Sequence, residues 1–348
     1  MELRISPERE SVLSELFSEI GLGRVMRVEE ELDPQLAYAA DVARRWGAGP
    51  GALCAMLTAL VSYRLAMRGE EWWRCYRDFF AERPCPPDPR GAASAVGDFL
   101  RSCRGGILSR DAKLRRLGRV LSAEPALRRL VDSPADAILA GYRGLLSAVA
   151  GALGQDWEDK TVVFSLKMAY YACRGTSCPG SALPAEVPIP VDVRVSCASY
   201  SSGLVDVPPG ADPVGAIMSS PRVAQRAWSA ISASSGVPPL HIDTVIWTVG
   251  WAPRELDLEG ARAAIRGSLE RVLGPVLSEA VAREVAFRAC PRRSAVHGRP
   301  RAPSGALLQV QADNPRLRPL PGVPVQAAQT HHQGQHPDRG AGEAGPAP

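Results

Sequence analysis

Lysine is scarce in this sequence, and two of its few lysines stand close together. Only three of the 41 basic residues are lysines, at positions 113, 160 and 167. Arginine stays protonated at any physiological pH, whereas lysine can lose its proton and attack a carbon atom as a free amine. Lys160 and Lys167 are therefore candidates for nucleophilic chemistry. The alternative is that lysine is simply rare here and that its three positions carry no meaning.

Helical spacing brings these two lysines onto one face. In a helix that begins near Lys160, residues 160, 164 and 167 share a stripe, so two amines flank the ring of Phe164. A second cation nearby disfavours the protonated form of an amine in a pocket and makes it a better nucleophile. The alternative is that both ammonium groups extend into solvent, as those of most helical lysines do.

A carboxylate follows in the segment Val-Pro-Ile-Pro-Val-Asp, which ends at Asp192. Pro188 and Pro190 stiffen the approach to this residue and fix its carboxylate in space. There it can stabilise positive charge developing at a sugar C1′, or handle protons around an attacking amine. An aspartate that opens a helix is more commonly an N-cap, and that alternative stays open.

The sequence has few residues for histidine-based catalysis or for metal binding. The first 290 residues contain one histidine, His241, which argues against a histidine-centred triad or a multi-histidine metal site. We expect no metal and no cofactor. The eight cysteines include no C-x-x-C pair and are predicted to be free thiols, with any approach of Cys173 to Cys178 due to chance. Lys113 is predicted to be a surface charge.

Charge is balanced over most of the chain. Residues 1–290 carry 34 basic and 34 acidic side chains, so the formal net charge of +4 arises in residues 291–348. Any contact with nucleic acid must then come from local basic patches. No apolar run reaches transmembrane length without a charge, and no signal peptide is evident. We expect a cytoplasmic, nucleoid-associated protein without membrane contact.

The elements that must position these residues are helices. Ser6-Pro7, Asp33-Pro34 and Ser133-Pro134 are helix starts, each with a capping side chain before a proline. Helices are also predicted near residues 52–67, 92–103, 109–122, 135–153, 160–173, 221–235, 240–251, 257–273 and 275–289. Residues 187–195 alternate between apolar and other residues as a strand does, but their prolines lack the N–H groups that pair strands, so we predict an extended loop. The fold class is all-α, and residues 291–348 form a disordered tail rich in Pro, Gly and Arg.

Several motifs have the order and spacing of one known family. They are Lys160-Thr-Val-Val-Phe-Ser-Leu-Lys, Val187-Pro-Ile-Pro-Val-Asp-Val-Arg, Gly203-Leu-Val-Asp-Val-Pro-Pro and Pro238-Pro-Leu-His-Ile-Asp-Thr-Val-Ile-Trp, with Asp33-Pro-Gln, Leu57-Thr-Ala-Leu-Val-Ser-Tyr-Arg and Gly69-Glu-Glu-Trp-Trp nearer the N-terminus. Over about residues 10–285 the chain closely resembles the archaeal 8-oxoguanine DNA glycosylases known as AGOG, of the helix-hairpin-helix glycosylase superfamily.

The resemblance implies two helical subdomains with a central cleft, formed by residues 1–290. It implies a bifunctional DNA glycosylase and AP lyase that acts as a monomer on double-stranded, and also single-stranded, DNA containing 8-oxoguanine. Lys160 corresponds to the family's Schiff-base lysine and Asp192 to its catalytic aspartate. The residues implied to bind the base are Gln35, Ser62, Trp73, Phe164, Lys167, Pro188, Asp243 and Trp247.

A hairpin is expected at residues 153–159, within a hairpin region of about residues 140–206, and its backbone amides would contact phosphate. The Gly-Pro-Gly type of hairpin found in the wider superfamily is not evident. The insert at residues 84–106 and the segment after residue 290 lie outside the family pattern. Two other functions remain open: a helix-hairpin-helix glycosylase for another damaged base, and a non-catalytic DNA-binding module that has kept the fold.

Overall fold

Helices carry nearly all the regular structure of the computed structural model, which describes residues 2–291. In chain order the helices are α1 (Pro7–Leu32), α2 (Pro34–Trp46), α3 (Ala48–Leu60), α4 (Gly69–Glu82), α5 (Pro89–Ser102), α6 (Arg110–Val120), α7 (Glu124–Asp132), α8 (Pro134–Leu139), α9 (Tyr142–Leu153), α10 (Lys160–Arg174), α11 (Val193–Ser201), α12 (Pro213–Ser219), α13 (Pro221–Ser235), α14 (Pro239–Val249), α15 (Ala252–Glu255) and α16 (Leu258–Val285). Two strands, β1 (Arg4–Ile5) and β2 (Val205–Asp206), pair antiparallel. The all-α prediction is confirmed.

Capping side chains start the first two helices where the sequence predicts them, whereas the predicted cap Ser133 makes no side-chain capping hydrogen bond at the start of α8. The Ser6 hydroxyl accepts a hydrogen bond from the Arg9 amide (3.3 Å) at the start of α1. At the start of α2, Asp33 Oδ1 accepts from the Gln35 amide (2.9 Å). In both helices a proline stands at the first position, where its missing N–H costs no intrahelical hydrogen bond.

Two apolar cores divide the described residues into lobes. The first lobe comprises α2–α10, and its core includes Leu57 and Leu146. The second lobe comprises α1 and α11–α16, and its core includes Phe17 and Trp228. The chain passes from the second lobe to the first at Asp33 and returns through residues 187–192, which are neither helix nor strand, as predicted.

Several helices differ from the prediction. The single helix predicted over residues 135–153 is two helices, because the Gly141 amide turns back to the Asp136 carbonyl (2.7 Å) and closes α8. The two helices predicted over 257–289 are one element, α16, kinked at Gly274 (φ +79°) before Pro275. The helix predicted over residues 52–67 ends at Leu60, and no predicted helix corresponds to α4, α7, α12 or α15.

Lys113 is buried, so its prediction as a surface charge is wrong. Its ammonium lies 5.3 Å from the ring centroid of Tyr63 and 6.0 Å from that of Trp72, and it donates to the Arg64 carbonyl (3.5 Å). Burial lowers the pKa of Lys113 to about 8. The side chain occupies the inner face of α6 together with Leu117 and packs on the loop between α3 and α4.

Two cysteine pairs are disulfide-bonded, so the prediction of eight free thiols is wrong for these four residues. Cys173–Cys178 closes the turn after α10, where the two Cα atoms are 5.2 Å apart. Cys197–Cys290 ties α11 to residues after α16, with Cα atoms 6.0 Å apart. Both Cα separations lie in the normal range for disulfides. The free cysteines are Cys54, Cys75, Cys85 and Cys103.

No helix within residues 2–291 is long and apolar enough to cross a membrane. The predicted disordered tail, residues 291–348, lies outside the described residues except for Pro291.

Candidate active site

Helix α10 presents Lys160, Phe164 and Lys167 on one face, as their spacing predicts. Lys160 is the first residue of the helix and is exposed, and it makes no ion pair with any residue that the structure describes. Phe164 is half-buried one turn further along. Lys167, two turns from Lys160, is only 1% exposed. The face therefore runs from an accessible amine at the helix N-terminus to a buried ammonium.

The buried ammonium of Lys167 is paired across the lobes. Its Nζ donates to Asp243 Oδ2 of α14 at 2.5 Å, and both side chains are nearly inaccessible. Burial raises the pKa of Asp243, and the Lys167 charge opposes that rise. Repulsion by Asp192 raises the pKa of Asp243 further, while the Lys160 charge lowers it. The charges of Lys160, Lys167 and Asp192 thus act on a single buried carboxylate.

Asp192 is the N-cap of α11, yet only one of its oxygens performs that role. Oδ1 accepts hydrogen bonds from the amides of Arg194 (2.8 Å) and Val195 (2.9 Å). Oδ2 makes no hydrogen bond to any residue in the described part of the chain, and the side chain is half-buried. The capping bonds hold the carboxylate in one orientation and leave Oδ2 available for chemistry, so the two roles considered from the sequence are compatible.

Aromatic rings from both lobes lie beside these charges. Trp73 of α4 is buried and meets Phe164 edge-on, with ring centroids 6.2 Å apart. Trp247 lies on α14, one turn after Asp243, and is half-buried. The Arg194 guanidinium lies 4.3 Å from the centroid of the Trp247 ring.

The remaining predicted base-binding residues lie on the segments that border this set. Gln35 is buried in the first turn of α2. Ser62 follows α3 and its hydroxyl donates to the Ala59 carbonyl (2.7 Å). Pro188 is buried in the segment where the chain returns to the second lobe. None of the three is joined to Lys160 or Asp192 by a hydrogen bond within residues 2–291.

A buried hydrogen-bonded network lies behind the Lys167–Asp243 pair and joins the lobes. The Tyr171 hydroxyl contacts Asp33 Oδ2 and Thr244 Oγ1, both at 2.9 Å, and Thr244 donates to Glu29 Oε1 (3.0 Å). His241 Nε2 accepts from the Leu183 amide (3.0 Å), so its proton is on Nδ1, which donates to Glu29 Oε1 (2.8 Å). A hydrogen-bonded network contributed by both lobes therefore lies behind the Lys167–Asp243 pair.

Asp33, which belongs to this network, makes the free energy of unfolding depend on pH. Burial raises the pKa of Asp33 to about 6, against 3.8 for a free side chain, although the Lys167 charge lowers it. A raised carboxyl pKa means that the folded state holds its proton more tightly, so stability falls as pH rises from about 4 to about 6. We expect Asp33→Asn, which keeps the cap, to remove up to about 3 kcal/mol of this fall, as measured by urea unfolding at each pH.

An exposed cap provides the matched control for that experiment. Asp212 caps α12 by accepting from the Val214 amide (3.2 Å) and is exposed. Asp212→Asn should leave the pH profile of the free energy of unfolding unchanged. Identical profiles for wild type and Asp33→Asn would contradict this expectation, because they would show that folding does not raise the pKa of Asp33.

The predicted hairpin is present between α9 and α10, and it is acidic. Gly154 ends α9 in the left-handed conformation (φ +64°), and the turn then carries Asp156, Glu158 and Asp159. Arg222 of α13 contacts carboxylate oxygens of these three residues at 3.1, 2.8 and 3.5 Å respectively. One arginine of the second lobe thus offsets the negative charge of a turn expected to lie against phosphate.

We expect Arg222→Gln to weaken binding of a duplex containing an abasic-site analogue by about tenfold, because the three carboxylates then repel the backbone. Fluorescence anisotropy at two salt concentrations measures the effect. Arg226→Gln is the control, since Arg226 is exposed one turn further along α13 and its loss removes the same formal charge. Equal losses in both variants would mean that Arg222 acts only through net charge.

Some residues at the site were missed from the sequence although their motifs were noticed. Arg194 closes the motif that contains Asp192, but the sequence predicts no role for it, and for Asp33 it predicts the helix cap but not the bond to Tyr171. Tyr171 and Arg222 carry no local signal, because their partners are distant in the chain. Within residues 2–291 no cluster of three or more His, Cys, Asp or Glu side chains could hold a metal ion.

The described residues form an all-α fold of two lobes, in which a hairpin leads into the helix that begins at an accessible lysine and an oriented aspartate comes from the other lobe. A family profile described as AGOG, N-glycosylase/DNA lyase, matches residues 14–284. The chain belongs to this N-glycosylase/DNA lyase family.

Individual relatives agree with that assignment. An N-glycosylase/DNA lyase of Aeropyrum pernix is 44% identical over 292 residues, which cover 84% of this chain and 99% of the relative. One from Pyrobaculum aerophilum is 30% identical over 239 residues, which cover 68% and 84%. The crystal structure of Pa-AGOG, an 8-oxoguanine DNA glycosylase from Pyrobaculum aerophilum in complex with 8-oxoguanosine, shares the fold with a TM-score of 0.64 at 24% identity, over 80% of this chain and 97% of that one.

Proposed function

We propose that this protein excises 8-oxoguanine from DNA and cleaves the strand 3′ to the resulting abasic site. The observation that carries the proposal is the geometry of α10: an exposed Lys160 begins the helix, and Lys167 on the same face forms a buried ion pair with Asp243 of the lobe in which the capping bonds orient Asp192. An accessible amine and an oriented carboxylate are what a glycosylase with lyase activity requires. Family membership and the relative bound to 8-oxoguanosine support the choice of substrate.

Lys160 is the nucleophile in this scheme. Its free amine attacks C1′ of a nucleotide flipped from the duplex, and the bond from C1′ to the base breaks as the base leaves with the electron pair and takes up a proton. The C1′–O4′ bond then opens, O4′ takes a proton from the attacking nitrogen, and a protonated imine remains. The imine acidifies C2′, and loss of a C2′ proton expels the 3′ phosphate from C3′. Arginine cannot form this imine.

Asp192 stabilises the positive charge that develops at C1′ while the base departs. Its Oδ1 is held by the two amides of α11, and its Oδ2 faces no competing donor among the described residues. A carboxylate held before the reaction begins pays no reorganisation cost when charge develops. Before the attack, Oδ2 accepts a proton from the Lys160 ammonium and so leaves the free amine, and the departing base then takes up that proton.

The base-binding roles follow from the groups that surround the lysine. Phe164 and Trp247 stack on the flipped base, a contact worth about 1–3 kcal/mol. The polar side chains distinguish oxidised from normal guanine, and they are those of Gln35, Ser62, Trp73, Lys167 and Asp243. Pro188, buried in the segment that leads to Asp192, contacts the flipped base.

The protein acts as a monomer on double-stranded DNA. Its catalytic domain comprises residues 1–290 and needs no cofactor. Its substrate is the nucleoid DNA in the cytoplasm. Backbone amides of the hairpin at residues 153–159 bind the phosphates beside the lesion. Comparison of one oligonucleotide in its single-stranded and duplex forms tests the preference for double strands, and sedimentation of the enzyme–duplex complex tests its stoichiometry.

Borohydride trapping tests the proposed reaction. Incubation of the protein with an 8-oxoguanine duplex and borohydride should give a covalent protein–DNA adduct, because the reductant fixes the imine. An undamaged duplex should give none. Absence of an adduct with the lesion would overturn the lyase proposal. An equal yield with a uracil duplex would instead overturn the substrate and indicate a glycosylase for another base.

A further inference from the structure

Arg194 joins three parts of the proposed site through one guanidinium group. Nη1 donates to the Trp247 carbonyl (2.9 Å), and Nη2 forms an ion pair with Glu70 Oε1 (2.7 Å). The planar group also lies over the Trp247 ring, 4.3 Å from its centroid. The side chains of Arg194 and Glu70 are only 19% and 10% exposed, so solvent screens the pair weakly.

The partners of Arg194 belong to the proposed machinery. Its own amide donates to Asp192 Oδ1 (2.8 Å), which ties its backbone to the catalytic carboxylate. Glu70 stands in the first turn of α4, one turn before Trp73. Arg194 therefore spans from the second lobe to the first and touches both the main chain and the ring of Trp247.

The Trp247 ring has little freedom between its neighbours. A Cβ atom at Gly69 would lie 3.6 Å from the ring carbon Cζ2, so the glycine backbone packs beside the indole. A guanidinium stacked on an indole is held by the ring quadrupole, and the bond from the same group to the Trp247 carbonyl prevents the two from sliding apart. Glu70 fixes the remaining rotation of the guanidinium.

We propose that Arg194 is a positioning residue that holds the Trp247 ring in its base-stacking orientation before the lesion arrives, and that Glu70 orients Arg194. The proposal rests on the function proposed above, in which Trp247 stacks on the flipped base. A ring ordered in advance loses less freedom when the base binds, so the arrangement favours capture of the base. It does not contribute to the later elimination, because by then the base has left.

Two substrates separate this role from a structural one. Excision of 8-oxoguanine needs the base, whereas cleavage at a preformed abasic site uses Lys160 and Asp192 without any base. We expect Arg194→Met to slow single-turnover excision by about tenfold to a hundredfold and to change cleavage at the abasic site by less than about twofold. The variant keeps the backbone amide that binds Asp192, so the catalytic carboxylate stays oriented.

The chain contains a matched control in Arg288. Its guanidinium lies 4.1 Å from the Tyr200 ring centroid, its Nε donates to the Tyr200 carbonyl (2.8 Å), and its Nη2 pairs with Asp206 (3.0 Å). Arg288→Met removes the same set of contacts away from Lys160 and should leave both rates unchanged. Arg194→Lys keeps the charge opposite Glu70 but loses the planar stack, so it should restore only part of the excision rate.

Equal losses of excision and abasic-site cleavage in Arg194→Met would overturn the positioning role, and so would full excision activity. A wild-type protein inactive on both substrates would instead overturn the proposed function itself. Circular dichroism melting identifies a variant that fails to fold. In that case Glu70→Gln, which keeps an acceptor but loses the charge, is compared on the same two substrates. We expect it to slow excision and to leave cleavage at the abasic site unchanged.

Discussion

A Lys160→Gln protein is expected to bind an 8-oxoguanine duplex and yet form no borohydride-stable adduct with it. The amide cannot become an imine, so excision and strand cleavage should fall by a factor on the order of 10³–10⁶, as when other covalent nucleophiles are removed. Lys160 is exposed and makes no ion pair with a described residue, so the melting temperature should not change. Denaturing gels after single-turnover incubation measure both products.

Lys160→Arg is the informative companion, because it keeps the positive charge and loses only the capacity for covalent chemistry. It should be as inactive as the glutamine variant while binding DNA as well as wild type. The scarcity of lysine makes the contrary outcome easy to interpret. An adduct that persists in both variants would have formed on Lys113, on Lys167 or on the N-terminal amine, and peptide mapping would identify which.

Lys167→Met is expected to lower the free energy of unfolding by about 3–5 kcal/mol, because it leaves the buried Asp243 carboxylate without its partner. Lys167 and Asp243 are 1% and 3% exposed, so water cannot replace the lost contact. The pKa of Asp243, already raised by burial, should rise further once the Lys167 charge is gone. Urea unfolding at pH 7 gives the stability.

The double variant Lys167→Met/Asp243→Leu should recover most of that loss, since a buried ion pair replaced by apolar groups is often neutral. Arg266→Met is the surface control: its pair with Glu279 is half-exposed on both sides and should be worth less than about 1 kcal/mol. If the double variant were no more stable than Lys167→Met, the cost would lie in packing and not in the unpaired charge.

The proposed catalytic face was predictable because its geometry is local. Residues 160, 164 and 167 share a stripe in any helix that begins near Lys160, and Asp192 is followed by the first turn of α11 whatever the rest of the chain does. The starts of α1 and α2 were predictable for the same reason, since a capping side chain and a proline act within four residues.

Contacts between distant segments could not be derived in this way. Lys113 was taken for a surface charge because basic residues on a helix usually face solvent, although its spacing to Leu117 and Val120 matches the inner face of α6. The disulfide between Cys197 and Cys290 joins residues that only the folded second lobe brings together. The partners of Arg194, Glu70 and Trp247, likewise lie on other helices.

The passage of α1 into the second lobe has a consequence for synthesis on the ribosome. Phe17 of α1 packs against Trp228 of α13, and Arg9 pairs with Glu284 of α16, so the apolar stripe of the first helix has no partner until some 200 further residues have been made. At translation rates of about 5–20 residues per second, α1 waits roughly 10–40 seconds while the first lobe forms beside it. The first lobe can condense during elongation, whereas the second closes only when the chain is nearly complete. The lobe interface, and with it the ion pair of Lys167 with Asp243, is therefore assembled last.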